Sequence, residues 1–256
     1  MMVLQRASRS ARSLSSLNRD REFATLSRML ELTPADSLLD VGSGDGFWTA
    51  RFARRVNHVT GLEPDDAMLV YARRLHRQTN VEYVKGTAES LPFPSSAFDK
   101  VVSMSSVEHF KDPVNGLREM FRVLRAGGRV AISVDALSPE NSSTNFRRWH
   151  SARHHVTHYF REDELVAVLT EIGFHVELPT AQLFRSPLSR WARETFIRRP
   201  RLLLPLFLVF RALVAAGDLR PIDQHGQIIA VCAVRPAAAA IEDSRPASTT
   251  DDFRSD

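Results

Sequence analysis

The sequence contains a single cysteine, Cys232, and only three lysines against 31 arginines. One cysteine excludes a disulfide framework within the chain and favours a reducing compartment, so we expect a cytoplasmic protein. Because Cys232 lies in an apolar run, it is expected to be a buried structural thiol. The apolar stretch within 183–220 is too short to span a bilayer, and Pro205 and Arg211 interrupt it.

The two ends of the chain differ from its middle in composition. Residues 1–23 are rich in arginine and serine and have no apolar segment typical of a secretory signal, so they are predicted to form a leader that is either a frayed helix or disordered. Residues 236–256 turn to Ala, Ser, Pro, Thr and Asp, which predicts a disordered tail. One domain is therefore expected over residues 24–235.

Short apolar runs alternate with amphipathic stretches between these ends. The predicted strands are 37–41, 56–62, 81–84, 98–104, 129–134, 174–178 and 227–234. The predicted helices are 19–31, 66–77, 114–125 (ended by Gly127-Gly128) and 162–172 (closed by Gly173). This alternation predicts an α/β fold: a Rossmann-like, seven-stranded, mostly parallel sheet with helices on both faces. Residues 183–220 do not fit the alternation and are predicted to be a helical insertion before the last strand.

A glycine-rich loop, Gly42-Ser43-Gly44-Asp45-Gly46, follows the first strand and opens a helix. Such a loop lets the backbone approach a ligand at the carboxyl edge of a parallel sheet. Glu63 ends the second strand, just before Pro64, where a carboxylate can accept hydrogen bonds from both hydroxyls of a ribose. The large Phe47 stands where a dinucleotide fingerprint needs Gly or Ala. These residues favour a nucleoside ligand without a pyrophosphate over a dinucleotide.

The loop and three further stretches resemble a known family. Residues 38–49 resemble the first motif of class I S-adenosylmethionine-dependent methyltransferases. Three more stretches are similar to the branch that contains the ubiquinone/menaquinone C-methyltransferases. They are 86–93 with 98–99, 103–110 with 112–113, and 119–129. The resemblance implies S-adenosylmethionine as cofactor and in-line methyl transfer to a small-molecule acceptor.

The family's cofactor contacts fall on residues at or just after predicted strands. By this resemblance, the methionine part of the cofactor lies between Asp40 and the loop residues Gly42, Ser43, Gly44 and Gly46. Glu63 and Pro64 meet the ribose, Met68 and Leu69 pack under the adenine, and Thr87 and Ala88 meet the adenine edge. The residues that face the sulfonium and the acceptor are Ser103, Met104 and Ser105. Glu89 is either a further contact or a surface acid that opens a helix. Many relatives have Asp where this chain has Thr87, so the adenine contact loses a charge here.

The acceptor side is expected beyond the fifth strand. A hydroxyl acceptor would profit from a general base, for which histidine is the usual candidate. His150, His154 and His158 would share one face of a helix, and we predict that His158 or His154 lies near the acceptor. A metal site on these histidines has no supporting ligand nearby, so none is expected. The insertion 183–220 holds an apolar stretch flanked by arginines, which predicts a hydrophobic or amphipathic, lipid-like acceptor reached from a membrane surface or under a lid.

Two other functions remain open at this point. One is an NAD(P)-dependent oxidoreductase, which Phe47 disfavours. The other is a non-catalytic member of the fold that binds the cofactor or nothing. No nucleic-acid partner is expected, because Ser103–Ser106 replaces the Asn/Asp-Pro-Pro-Tyr/Phe signature of amino-group base methylation. The sequence leaves the acceptor atom and the oligomeric state open.

Overall fold

A computed structural model describes residues 19–219 and 225–237 of the chain. Residues 1–18 of the expected leader and 238–256 of the expected tail lie outside this range. Residues 19–23, which the sequence assigned to the leader, form the start of a helix over 19–29 in which Phe23 is buried. Among the described residues, no helix has the length and apolar character to cross a membrane.

Seven strands form one sheet in the order β3-β2-β1-β4-β5-β7-β6. They are β1 (Ser37–Val41), β2 (His58–Glu63), β3 (Val81–Lys85), β4 (Phe98–Met104), β5 (Leu124–Asp135), β6 (His175–Leu183) and β7 (Ile228–Val234). The first five strands pair in parallel, and β7 runs antiparallel between β5 and β6. The seven-stranded, mostly parallel sheet expected from the sequence is confirmed.

Helices connect these strands. After α1 (residues 19–29) come α2 (Phe47–Phe52), α3 (Asp66–Leu75), α4 (Pro113–Val123), α5 (Thr144–His154), α6 (Glu162–Ile172), α7 (Pro187–Arg198), α8 (Pro200–Leu203) and α9 (Phe207–Asp218), with 3-10 turns at Val107–His109 and Leu204–Leu206. The last three helices and the second 3-10 turn form the insertion before β7, as expected.

Both faces of the sheet are covered, as the alternation of helices and strands predicted. Successive residues of β1 point to opposite faces. Leu38 packs in a core cluster with Phe52 of α2, and Leu39 packs in another with Leu117 of α4. Cys232 is buried in β7, and burial raises the pKa of its thiol to about 11, so the expected structural thiol is confirmed.

One predicted boundary is wrong. Gly127-Gly128 was expected to end the helix, but α4 ends at Val123 and β5 begins at once at Leu124. The glycines instead lie inside β5, where its register against β4 shifts. A Cβ on Gly128 would stand 2.8 Å from the carbonyl oxygens of Arg125 and Asp99, so only glycine fits this close approach.

Candidate active site

The loop between β1 and α2 is fixed to the neighbouring strand. The backbone N–H groups of Gly42 and Ser43 both donate to the carbonyl oxygen of Leu62, each over 2.9 Å. Because β1 pairs in parallel with both β2 and β4, the carboxyl ends of all three strands meet at one edge of the sheet. The loop therefore lies at the edge where open parallel sheets bind ligands.

Two glycines of this loop have different surroundings. Gly46 has a φ of 79°, and a Cβ there would stand 2.5 Å from the hydroxyl oxygen of Tyr83. Gly44 also has a positive φ, of 55°, but a Cβ on it would meet nothing within 4 Å. Gly46 is required by packing, whereas Gly44 leaves an open space beside the backbone that a ligand can enter.

Two carboxylates stand at the ends of adjacent strands. Asp40 is buried and accepts a 2.6 Å hydrogen bond from Thr49, and burial raises its pKa to about 6. Glu63 accepts from the N–H of Gly44 at 2.9 Å through Oε2 and from the N–H of Asp65 at 3.0 Å through Oε1. Each oxygen of Glu63 therefore retains a free lone pair, which is the acceptor pair that a ribose diol needs.

Ser43 is a candidate ligand contact because of its place in the loop. Its side-chain oxygen is buried and has no hydrogen-bond partner among the described residues. A buried hydroxyl without a partner costs about 1–3 kcal/mol. Ser27 on α1 has the same status, so it is the position of Ser43 beside Gly44 that makes it a candidate contact. The orphan hydroxyl of Ser43, the open side of Gly44 and the free lone pairs of Glu63 fit the polar parts of S-adenosylmethionine.

The other predicted contacts to the ribose and the adenine lie after β2 and β3. Pro64, Met68 and Thr87 are exposed, while Ala88 is buried. Glu89 accepts from the N–H of Lys111 at 2.8 Å, so it holds the loop before α4. Burial tends to raise the pKa of Glu89, but these backbone donors outweigh that effect and lower it. Glu89 lies in a turn and opens no described helix, so that expected role is wrong, and its cofactor role stays a prediction.

The end of β4 is covered by α1. Ser103 is buried and donates to the carbonyl oxygen of Val41 over 3.0 Å. Ser105 has a φ of 44° and donates to Glu22 of α1 over 2.5 Å. Arg19, also on α1, donates to the carbonyl oxygen of Met104 over 2.7 Å. Sequence reasoning missed these contacts from α1, which close the site over Ser103, Met104 and Ser105.

A buried polar cluster lies beside this edge, at the end of β5. Arg193 of α7 donates to Asp135 over 2.8 Å, and Glu108 accepts from the N–H of Asp135 over 3.1 Å. His150 of α5 has Nε2 3.7 Å from Asp135 and Nδ1 3.0 Å from the hydroxyl of Tyr159. We name these five residues the Asp135 cluster.

The cluster holds one net ion pair rather than several charges. Burial, with repulsion from Asp135, raises the pKa of Glu108 to about 8. Burial would also raise the pKa of Asp135, but the charge of Arg193 outweighs it and lowers that pKa. Burial lowers the pKa of His150 to about 4. At neutral pH, Asp135 is therefore ionised against Arg193, while Glu108 is mostly protonated and His150 is neutral.

The histidine prediction needs a correction. The helix α5 ends at His154, and His155 has a positive φ of 56°, so His158 does not share a face with His150 and His154. His158 is exposed and lies 2.7 Å from Glu164. His154 is exposed but remains in ring contact with His150, at a centroid distance of 4.6 Å. No group of three metal-ligating side chains occurs within 19–219 and 225–237.

Part of the Asp135 cluster carried a sequence signal. Asp135 directly follows the apolar run 129–134, as Glu63 follows the second strand, so the rule that singled out Glu63 would also have found it. Arg193 carried no such signal, because one arginine among the eight in residues 180–222 gives no sign of being buried.

The chain is similar to known methyltransferases. A family model described as "Methyltransferase domain" matches residues 39–132. An uncharacterized methyltransferase of Bacillus subtilis (strain 168) is 31% identical over 121 residues, covering 45% of this chain and 67% of that protein.

Two relatives have names that give an acceptor. The first is 2-methyl-6-phytyl-1,4-hydroquinone methyltransferase 2 (chloroplastic) of Oryza sativa subsp. japonica, 40% identical over 42% of this chain and 33% of its own length. The second is a ubiquinone/menaquinone biosynthesis C-methyltransferase of Vibrio parahaemolyticus, 38% identical over 39% of this chain and 41% of its own length. The chain thus spans less than half of either relative.

The fold recurs in solved structures. A phosphoethanolamine N-methyltransferase 2 of Haemonchus contortus, in complex with phosphomonomethylethanolamine and S-adenosylhomocysteine, matches with a TM-score of 0.65 at 22% identity, covering 86% of this chain and 54% of that one. This likeness concerns the fold. Together with the matched domain, the Bacillus relative and the motifs at the sheet edge, it places the chain in the class I S-adenosylmethionine-dependent methyltransferases.

Proposed function

We propose that the protein transfers a methyl group from S-adenosylmethionine to a small hydrophobic or amphipathic acceptor of the quinol or phenol type. The observation that carries the proposal is the set of Ser43, Gly44 and Glu63, which offers an unmet hydroxyl, an open backbone face and a carboxylate with free lone pairs at one edge of the sheet. The acceptor class is supported by the relatives from rice and Vibrio parahaemolyticus, which are named for hydroquinone and quinone methylation.

The residues of the chain act mainly by positioning. S-adenosylmethionine supplies a methyl group on a sulfonium that is already activated for displacement. Glu63 and Ser43 would bind the donor, while Ser103 and Ser105, whose hydroxyls donate to Val41 and Glu22, fix the end of β4 beside it. Alignment of the nucleophile with the methyl group and the leaving sulfur lowers the barrier by several kcal/mol. The cover formed by Arg19 and other residues of α1 helps exclude water.

The Asp135 cluster is the group of buried polar side chains beside the proposed cofactor site. A quinol or phenol acceptor becomes a better nucleophile when its hydroxyl proton is drawn away. Asp135 is ionised at pH 7 and its Oδ2 has no hydrogen bond among the described residues, so it can accept one from such a hydroxyl, while His150, with Nε2 facing Asp135 and Nδ1 on the Tyr159 hydroxyl, would position it. We therefore assign the acceptor's polar group to this cluster, in place of His158, which faces Glu164 in solvent.

Transfer of a labelled methyl group tests this function. The full chain is incubated with methyl-labelled S-adenosylmethionine and a panel of prenylated hydroquinones, simple phenols, amines and thiols, and products are resolved by mass spectrometry. Methylation confined to hydroquinones or phenols supports the proposal. Methylation of amines alone would overturn the acceptor class. Cofactor binding without transfer to any member of the panel or to a metabolite extract would favour the non-catalytic alternative.

A further inference from the structure

The helix α9 carries apolar side chains on both of its faces. Its inner face is buried: Phe210 packs 5.6 Å from Phe196 of α7 between ring centroids, and a Cβ on Gly217 would stand 2.5 Å from the hydroxyl of Ser186. Its outer face exposes Leu208 and Val209 by 74% and 53%. A helix that is apolar all round is normally covered on all sides, so the outer face lacks a partner in the described structure.

The exposed side chains continue into the preceding turn. Leu202 of α8 is 70% exposed, and Leu206 of the following 3-10 turn is 47% exposed. We name Leu202, Leu206, Leu208 and Val209 the outer apolar patch. Scattered single apolar residues on a surface are ordinary, but four within eight positions of one short helical segment mark a surface that contacts something.

The charged residues within the segment that carries this patch are all arginines. Residues 195–217 contain Arg198, Arg199, Arg201 and Arg211 and no Asp or Glu. Arg198 and Arg199 are exposed, and the side chain of Arg211 is 60% exposed, although it lies 3.7 Å from Asp20. Pairing this face with a second copy of itself would bring arginines together. An anionic surface instead complements them, and each arginine near such a surface contributes about a factor of five to binding.

We propose that the outer apolar patch and its arginines dock the protein onto the surface of an anionic lipid bilayer. The side chains of the patch would enter the headgroup region while the arginines meet lipid phosphates. Trp191 of the adjoining helix α7 is also exposed, with its ring 6.0 Å from Phe210, and tryptophan is enriched at membrane interfaces. No described helix could span the bilayer, so the contact is at the surface.

The helical insertion carries the docking surface on α8 and α9 and also contributes Arg193 of α7 to the Asp135 cluster. The helix α7 packs against the inner face of α9 and carries Arg193 to Asp135 at the end of β5. A lipophilic acceptor dissolved in the bilayer would therefore lie next to the insertion that borders the Asp135 cluster. Docking itself does not require methyl transfer, so lipid binding and catalysis fail or succeed independently.

Vesicle co-sedimentation of the full chain tests the proposal. Wild type is mixed with two kinds of vesicle. One contains phosphatidylcholine alone, and in the other about one lipid in three is phosphatidylglycerol, which is anionic. We expect binding to the anionic vesicles, a weakening with salt, and a blue shift of Trp191 emission that is absent in Trp191→Phe. Leu208→Glu should reduce binding at least tenfold and Arg199→Glu about fivefold.

Two matched substitutions serve as controls. Leu178→Glu changes an equally exposed leucine, at 69%, on β6, and Arg77→Glu reverses an exposed arginine after α3; both should bind vesicles like wild type. Absence of wild-type binding to anionic vesicles would overturn the proposal. Equal losses in Leu208→Glu and Leu178→Glu would also overturn it. A dimer in sedimentation velocity that Leu208→Glu dissociates, with no vesicle binding, would assign the patch to a second copy.

Discussion

Arg193 of α7 and Asp135 of β5 form a buried ion pair with an Nη2–Oδ1 distance of 2.8 Å, and this pair anchors the helical insertion to the carboxyl edge of the sheet. A second hydrogen bond joins Arg193 to Gln227, just before β7, over 2.9 Å. The arginine thus connects three parts of the chain that are far apart in sequence, at the point where we place the acceptor.

Removal of the arginine should be costly. Arg193→Met leaves Asp135 buried without its counter-charge, which typically destabilises a protein by about 3–5 kcal/mol. The double variant Arg193→Met with Asp135→Asn removes the uncompensated charge and should recover part of that loss. Urea unfolding measures both. A loss below about 1 kcal/mol in the single variant would show that the pair does not anchor the insertion.

Stability should depend on pH through Glu108. Its folded pKa, about 8, lies above its unfolded value, so the stabilisation that it contributes is present at low pH and lost as the pH rises towards 8. The lowered pKa values of His109, His150 and His154 act in the opposite direction, but only below about pH 6.5. The raised pKa of Asp40, about 6, acts in the same direction as that of Glu108 but fades above pH 7, so the window from pH 7 to 8 reports mainly Glu108.

In that window we expect the free energy of unfolding of wild type to fall by up to about 1.4 kcal/mol per pH unit. Glu108→Gln cannot ionise and should flatten the slope, whereas Glu171→Gln, an exposed acid on α6, should leave it unchanged. The measurement is urea unfolding at four pH values. The same slope in Glu108→Gln and wild type would contradict the assignment.

Gly44 should separate binding from stability. Gly44→Ala and Gly127→Ala each place a side chain at a positive φ with no neighbour within 4 Å, so each should cost about 1–2 kcal/mol of stability. Only Gly44 lies at the proposed cofactor site, so only Gly44→Ala should weaken S-adenosylhomocysteine binding, at least tenfold. Calorimetric titration checks this difference, and equal affinities in the two variants would argue against a ligand beside Gly44.

Ser43 should show a trade-off between stability and binding. Both Ser43 and Ser27 have a buried hydroxyl without a partner among the described residues, so replacing either by alanine should stabilise the ligand-free protein by about 1 kcal/mol. Ser43→Ala should also lose about five- to tenfold in S-adenosylhomocysteine affinity, whereas Ser27→Ala on α1 should not. Thermal unfolding with and without the ligand compares them, and parallel behaviour would remove Ser43 from the site.

The candidate cofactor residues could be predicted from the sequence because the patterns that mark them involve residues close together along the chain. Glycines after a strand, such as Gly44, and an acid at a strand end, such as Glu63, act through the backbone next to them. The acceptor half depends on contacts over long separations. Arg193 meets Asp135 across 58 positions and Glu22 meets Ser105 across 83, and no spacing rule in the sequence reports such pairs. His158 was misplaced because a helix was extended past its end at His154.

Binding of S-adenosylhomocysteine by wild type and by Glu63→Ala tests the central claim most directly. Titration calorimetry should show one site on wild type, no binding of NAD, and an affinity lower by on the order of 100-fold in Glu63→Ala, since two hydrogen bonds to a carboxylate are lost. Glu171→Gln should bind like wild type. Tight binding of NAD without binding of S-adenosylhomocysteine, or equal affinity in Glu63→Ala and wild type, would contradict the account.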